Sequence, residues 1–134
     1  SMGAFQATYA PGQPSAGTSH YDIAISKFSA NGGQQVYATY LGGSGQEKPS
    51  SMVFDENSQS LLVFGRTNST NFPTTAAAYQ RFVSGGYDLL VTRLSSSGGM
   101  LASTLLGGTG NEGLNQVGTH YTTSSLHFNY GDDS

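Results

Sequence analysis

The fold follows from a glycine-rich stretch that occurs twice, first as Tyr40-Leu41-Gly42-Gly43-Ser44-Gly45-Gln46-Glu47 and again as Leu105-Leu106-Gly107-Gly108-Thr109-Gly110-Asn111-Glu112. The residues before it repeat as well, because residues 21–33 match residues 87–99 in apolar pattern and in the closing glycines. The repeat is about 65 residues long, so two repeats account for nearly all of the 134 residues. The sequence therefore predicts one two-repeat module over residues 3–134, preceded by Ser1-Met2, which is typical of an expression-tag scar.

The composition excludes several classes of partner and chemistry. Five basic residues are scattered singly in a chain of net charge −3, so nucleic acid is not an expected partner. The absence of cysteine excludes disulfides and thiolate metal sites. No apolar run approaches the roughly 20 residues of a membrane helix, so membrane insertion is not expected. Only 10% of the residues are charged, and solubility rests on neutral polar side chains, which is typical of secreted or cell-surface proteins.

Short runs of β-branched and aromatic residues, each closed by turn residues, predict an all-β chain. One helical turn is expected after Pro73, within residues 75–82. Some strands are apolar on both faces, such as residues 61–64, so each sheet should be covered on both sides. The eight predicted strands are Ile23–Phe28, Val36–Leu41, Ser51–Asp55, Leu61–Gly65, Leu89–Leu94, Leu101–Leu106, Gln116–Tyr121 and Leu126–Tyr130.

The turns between these strands repeat together with the strands. Asn31-Gly32 is a strong hairpin signal, and Gly98 stands at the matching place in the second repeat. Asp22 and Asp88 precede matching strands, which predicts a structural role such as capping a turn or accepting loop amides. The glycines interpreted as structural turn residues are Gly32, Gly42, Gly43, Gly98, Gly107 and Gly108.

Four short strands and a glycine-rich return in about 65 residues predict blades of a β-propeller, each made of four antiparallel strands. The stretches Leu61-Leu62-Val63-Phe64-Gly65-Arg66-Thr67, Thr70-Asn71-Phe72-Pro73-Thr74-Thr75-Ala76-Ala77-Ala78-Tyr79-Gln80, Gly85-Gly86-Tyr87-Asp88 and Tyr40-Leu41-Gly42-Gly43-Ser44-Gly45 resemble the repeat of the SBBP-type bacterial β-propeller family. The chain departs from that repeat at Asn71 and at Glu47-Lys48-Pro49. The resemblance implies a large secreted or surface-exposed bacterial protein and supplies no catalytic residues.

The residues that carry enzymatic or metal chemistry elsewhere do not form their usual patterns here. The glycine motif is not followed by the Lys-Ser/Thr of a phosphate loop, and no Gly-x-Ser-x-Gly nucleophile motif occurs. His20, His120 and His127 lack the spacing of a metal-binding pair. Calcium at Asp22 and Asp88 is the alternative to their structural role. We expect no catalytic residues, no metal and no cofactor.

The loop of residues 67–86 is the best sequence candidate for a binding surface, because it is polar with aromatic and arginine side chains interspersed. The alternative is that Phe72 and Tyr79 fill the space between blades. The candidate ligand-binding residues are Arg66, Phe72, Tyr79, Arg81 and Phe82.

Two functions follow from this reading. The first is a non-enzymatic scaffold for protein interaction or adhesion. The second is a small oligomeric lectin, which should carry a stacking aromatic residue and a polar partner in each repeat. Arg66 meets Gly131 at the repeat offset, and Phe82 has no clear counterpart in residues 7–20, so the scaffold is favoured.

The strand order leaves only the central blade complete. The resemblance to the SBBP-type family implies a blade order from inner to outer strand, in which the inner strands are Ser51–Asp55 and Leu61–Gly65 and the outer strands are Leu89–Leu94 and Leu101–Leu106. The first two strands of the chain form the outer half of one blade, and the last two form the inner half of another. Bare edges and apolar faces are avoided in folded proteins, so we expect a homo-oligomer through shared half-blades, or completion by flanking repeats.

Overall fold

The computed structural model describes residues 4–10, 20–112 and 132–133, and these form strands, turns and loops without a helix. The predicted all-β class is confirmed. The predicted strands Gln116–Tyr121 and Leu126–Tyr130 lie outside the described residues. The strands are β1 (Ile23–Phe28), β2 (Gln35–Leu41), β3 (Glu47–Asp55), β4 (Ser60–Thr67), β5 (Asp88–Leu94), β6 (Met100–Leu106), β7 (Asn111–Glu112) and β8 (Asp132–Asp133).

The strands form antiparallel sheets in chain order. β1 pairs with β2, and the central sheet has the order β3-β4-β5-β6. β7 and β8 form a third short pair. The central sheet has the four antiparallel strands expected of one blade, while the described strands do not close into a barrel. A propeller ring built from such blades remains a proposal.

Two local predictions change in the structure. β3 begins at Glu47 rather than Ser51 and runs through Pro49, where the register shifts. The sheet tolerates this proline because β3 is an edge strand, and a missing N–H there breaks no ladder on its open side. The turn expected within residues 75–82 is a single backbone turn, with the Ala78 amide 3.0 Å from the Thr75 carbonyl, and it does not continue as a helix.

The core lies between the β1–β2 sheet and one face of the central sheet. Along β5, alternate side chains from Asp88 to Leu94 are buried while those between them are half-buried. β3 differs, because Met52, Val53 and Phe54 are 70%, 53% and 47% exposed. The expectation that each sheet is covered on both sides therefore fails at β3. The buried apolar residues are Ile23, Ile25, Tyr37, Leu41, Val63, Phe72, Leu90, Leu94 and Leu105.

The sequence repeat is also a repeat of hydrogen bonds. The amide of Glu47 donates to the carbonyl of Tyr21 at 2.9 Å, and the amide of Glu112 donates to the carbonyl of Tyr87 at 2.5 Å. The first bond joins the segment before β1 to the start of β3, and the second joins the segment before β5 to β7. The pairing Glu112↔Asp132 likewise repeats Glu47↔Thr67. The step from β3–β4 to β7–β8 is therefore one repeat along the chain.

Candidate binding site

A glycine-rich turn holds a pair of carboxyl groups in each repeat. In the first repeat, Asp22 Oδ2 accepts hydrogen bonds from Gln6 Nε2 at 3.1 Å and from the Ala10 amide at 3.0 Å. The amide of Gly43 donates to Glu47 Oε2 at 3.1 Å. Glu47 Oε1 accepts from the hydroxyls of Thr67 and Ser69 at 2.5 Å each. These contacts tie the N-terminal loop and the glycine turn to the start of β3.

The second repeat has the same contacts at its aspartate and its glycine amide. Asp88 Oδ2 accepts from Gln80 Nε2 at 2.6 Å and from the Ser84 amide at 3.1 Å. The Gly108 amide donates to Glu112 Oε2 at 3.1 Å. Asp22 and Asp88 thus each accept one loop amide and one glutamine side chain, which is the geometry of a loop cap.

One position in each turn, Gly42 or Gly107, must be glycine because the carboxyl group of the neighbouring aspartate packs against its backbone. A Cβ placed on Gly42 would lie 2.3 Å from Asp22 Oδ1, and a Cβ on Gly107 would lie 2.3 Å from Asp88 Cγ. The Oδ1 atoms of both aspartates are buried and have no hydrogen-bond partner. Each of these oxygens is therefore packed against the glycine backbone.

Burial changes the protonation of these carboxyl groups. Desolvation raises the pKa of Asp88, although hydrogen bonds from the Ser84 amide and the Gln80 side chain oppose it. Desolvation also raises the pKa of Glu47 against the bonds from Ser69, Thr67 and Gly43. The cause in both cases is that removal from water disfavours the charged form.

The groups that contact these carboxyl groups are N–H and O–H donors, which stabilise a carboxylate. A bound cation would instead be surrounded by oxygen ligands. Within residues 4–10 and 20–112, no three His, Asp or Glu side chains come together as a metal-binding group. The backbone carbonyl of His20 accepts from the Tyr9 hydroxyl at 2.5 Å. His120 and His127 lie outside the described residues.

Residues 78–84, called the outer strap below, run along the outer edge of β6. Gln80 anchors them through its backbone, because its amide donates to Thr104 Oγ1 at 3.2 Å and its carbonyl accepts from the Leu105 amide at 3.0 Å. Its side chain accepts from the Gly107 amide at 3.0 Å and donates to Asp88. Since neighbours of an inward residue in an extended segment point outward, Gln80 turns Tyr79 and Arg81 towards solvent.

The outer strap presents the most exposed aromatic side chains of the described residues. Tyr79 is 87% exposed and Phe82 is 67% exposed. The guanidinium carbon of Arg81 lies 5.7 Å from the centre of the Phe82 ring. Two aromatic rings and an arginine on a firmly bonded segment form the candidate binding site.

The other two candidate residues lie elsewhere. Phe72 is 4% exposed and belongs to the core, so it leaves the ligand-binding set and takes the space-filling role that was its alternative. Tyr79 does not take that role, since it projects into solvent. Arg66 lies on β4, with its guanidinium carbon 4.8 Å from the centre of the Tyr87 ring. The cavity that Tyr79 helps to line reaches Leu62 on β4 but does not include Arg66, so Arg66 packs against Tyr87 and not against the outer strap.

The first repeat has a weaker counterpart of the outer strap. Residues 4–10 run along β2, where the Gln6 carbonyl accepts from the Tyr40 amide at 3.0 Å and the Gln6 amide donates to Thr39 Oγ1 at 3.0 Å. Phe5 stands where Tyr79 stands and is 38% exposed. Ala7 stands in the place of Arg81, so the arginine is not repeated.

Glutamine and glutamate are the residues whose importance sequence reasoning missed. Gln6 precedes β1 and Gln80 precedes the matching strand β5, and Glu47 and Glu112 close each glycine motif. This recurrence was the available signal. A recurring polar residue inside a loop does not show by itself whether it faces the solvent or a buried partner.

Comparison of the chain with protein-family models, with curated proteins and with solved structures gave no match. The likeness to the SBBP-type repeat stays a resemblance carried by the residues quoted above. The described residues include no helix long and apolar enough to cross a membrane.

Proposed function

We propose that the chain is a non-enzymatic β-propeller module of a bacterial secreted or cell-surface protein, and that it acts as a scaffold for protein interaction or adhesion. The observation that carries this proposal is the outer strap, where Tyr79 and Phe82 project from a segment that Gln80 anchors to four residues outside it, Asp88, Thr104, Leu105 and Gly107. The carboxyl groups of the glycine turns support a non-enzymatic role, because loop amides and side-chain donors already engage them.

Ordering a flexible binding loop costs free energy when a partner binds. Tyrosine and arginine dominate the energetics of protein interfaces, and anchoring them beforehand reduces the entropy lost on association. The outer strap is bonded to β6 and to Asp88, so its backbone needs little further ordering. A partner of matching shape would bury two rings that are now largely in water.

The direct test is binding of the purified chain to an array of extracellular proteins and to a glycan array. We expect a protein ligand whose affinity falls at least about thirtyfold in a Tyr79→Ala/Phe82→Ala variant, since hot-spot truncations cost about 2 kcal/mol. Leu101→Ala is the matched control, because Leu101 is 53% exposed on β6 and lies outside the outer strap. An affinity that the double substitution leaves unchanged on both arrays would contradict the proposal.

A lectin is the second candidate, and the pairing of Arg81 with the Phe82 ring favours it. Sugars stack on aromatic rings, and guanidinium groups donate to hydroxyl oxygens. Loss of glycan rather than protein binding in the Tyr79→Ala/Phe82→Ala variant would select this alternative. The replacement of Arg81 by Ala7 in the first repeat disfavours it.

The proposed architecture requires completion of two half-blades. β1 and β2 correspond to the outer strands β5 and β6, and the start of β7 corresponds to the start of β3. Other copies of the chain or flanking repeats would supply the missing strands, and rings usually hold about four to eight blades. Light scattering that shows a stable, well-folded monomer at micromolar concentration would contradict shared blades.

A further inference from the structure

A groove, called the β1 groove below, runs along the free edge of β1. Among the described strands β1 pairs only with β2, so the backbone on its other edge lacks a strand partner. Two adjoining cavities of about 420 and 280 Å³ lie there, and Ile25 and Met52 line both of them. The floor comes from β3 and β4, and Met52 and Phe54 are 70% and 47% exposed. The lining includes Ile23, Phe28, Leu61 and Val63.

The complete blade shows what belongs at this edge. β5 is the repeat counterpart of β1, and β4 pairs with it in the register Val63↔Thr92 and Gly65↔Leu90. Ser26 stands where Thr92 stands, since residues 21–33 match residues 87–99. The chain's own counterpart of β4 is the segment 125–132, in which Phe128 stands where Val63 stands.

We propose that the β1 groove binds residues 125–131 of a second copy of this chain as a strand antiparallel to β1, with Phe128 opposite Ser26 and Tyr130 opposite Ala24. This inference rests on the proposed blade architecture, and it identifies the partner, the segment and the register. The contact is an added strand at an open sheet edge, in which main-chain hydrogen bonds supply affinity and side-chain packing supplies register.

A second copy fits better than the same molecule, because β7 lies one repeat beyond the central sheet. β7 joins the central sheet at Tyr87, whereas β1 joins it through the bond between Tyr21 and Glu47. The central blade therefore lies between β1 and the β7–β8 pair. The pairing Glu112↔Asp132 repeats the pairing Glu47↔Thr67, and the repeat offset matches residues 125–131 to residues 60–66 of β4.

Side-chain volumes support this particular occupant. In the central blade a small residue on β4 opposes a large one on β5, as Gly65 opposes Leu90. In the proposed pairing the order is reversed, because Tyr130 would oppose Ala24. Phe128 is larger than Val63, its counterpart on β4, and Ser26 is smaller than Thr92, its counterpart on β5. Compensating changes of this kind preserve packing density across a strand pair.

The test uses disulfide crosslinking, which is clean because the chain has no cysteine. A Ser26→Cys chain is mixed with a Phe128→Cys chain under mild oxidation, and covalent dimer is followed on non-reducing gels. We expect dimer to form at least about tenfold faster than in a mixture of Ser26→Cys with His127→Cys, since a one-residue slip turns the side chain to the opposite face.

Two further arms control for folding and geometry. Val63→Cys/Thr92→Cys within one chain should form an internal disulfide and shows that this pair geometry permits the bond. Ala24→Cys mixed with Tyr130→Cys tests the same register independently and decides the matter where circular dichroism shows that a Ser26→Cys or Phe128→Cys chain fails to fold.

Each result is decisive. Fast crosslinking of either in-register mixture, together with an oligomer in light scattering, supports the proposal. In-register mixtures that react no faster than the His127→Cys mixture overturn it, as does a stable monomer. Binding that depends on Tyr79 but is measured on such a monomer would leave the scaffold proposal standing while the β1 groove inference fails.

Discussion

Replacing Gly107 by alanine should destabilise the chain strongly, whereas the same change at Gly108 should not. The two glycines are neighbours in one turn, and neither has a positive φ, so backbone strain does not separate them. A Cβ on Gly107 would lie 2.3, 2.5 and 2.7 Å from the three carboxyl atoms of Asp88. A Cβ on Gly108 would meet nothing closer than Glu112 Oε1 at 3.7 Å, which is ordinary contact.

The magnitude follows from what Asp88 would lose. This side chain is fully buried, and its Oδ2 accepts from Gln80 Nε2 and from the Ser84 amide. Moving the carboxyl group away weakens both bonds, each of about 1.5–3 kcal/mol for a charged acceptor, and overpacking adds about 1–3 kcal/mol. Because the side chain can retreat only part of the way, we expect Gly107→Ala to cost about 3 kcal/mol. Gly108→Ala should change stability by less than about 0.5 kcal/mol.

Urea denaturation followed by circular dichroism measures both variants, and a thermal melt should show a fall of about 10 °C for Gly107→Ala. Asp88→Asn combined with Gly107→Ala should cost less than the sum of the single changes, since both act on one contact. Equal stability of Gly107→Ala and Gly108→Ala would refute the argument that Asp88 dictates glycine at this turn.

Three further outcomes are expected. Gly32 and Gly98 have φ values of 71° and 89°, so valine at either should cost about 1 kcal/mol or more, and melting shifts below about a degree for both variants would contradict their turn role. Dialysis against a chelator should leave the melting temperature unchanged, whereas a fall of about 10 °C would indicate calcium at Asp22 and Asp88. Burial raises the pKa of Asp88 and Glu47, so their contribution to stability is full below the unfolded pKa values of about 4 and declines as pH rises through the higher folded values. Glu47→Gln should flatten this decline in urea denaturations at pH values above about 4, and an unchanged slope would contradict it.

Local patterns predicted the strands well where packing agrees with propensity. β1 and β5 lie where runs of β-branched and aliphatic residues end at turn glycines, and they begin or end within a residue of the prediction. β3 begins at Glu47 and passes through Pro49, although proline is disfavoured in the interior of a sheet. Its tolerance depends on β3 having an open edge, which is a property of the sheet and not of the local sequence.

The candidate site shows the same division. The candidate ligand-binding residues were identified from their types, but their exposure differs in the structure. Phe72 is buried in the core, whereas Tyr79 and Phe82 are exposed to solvent. Residue type indicates only what a side chain can do when it is exposed. Which side of a loop faces the solvent depends on anchors such as Gln80, whose partners lie 8 to 27 residues away.

By itself, the sequence determined the repeat, the all-β class and the four-strand composition of the central sheet, because each depends on local periodicity and turn chemistry that recur in the chain. Only the tertiary structure decided which carboxyl groups are buried against glycine, which aromatic rings face water and where a sheet edge stays open. These depend on contacts between residues far apart in the chain, such as Asp22 with Gln6 and Ile25 with Met52 across the β1 groove. Long-range contacts are set by how sheets pack, and packing is a property of the whole fold rather than of any one segment.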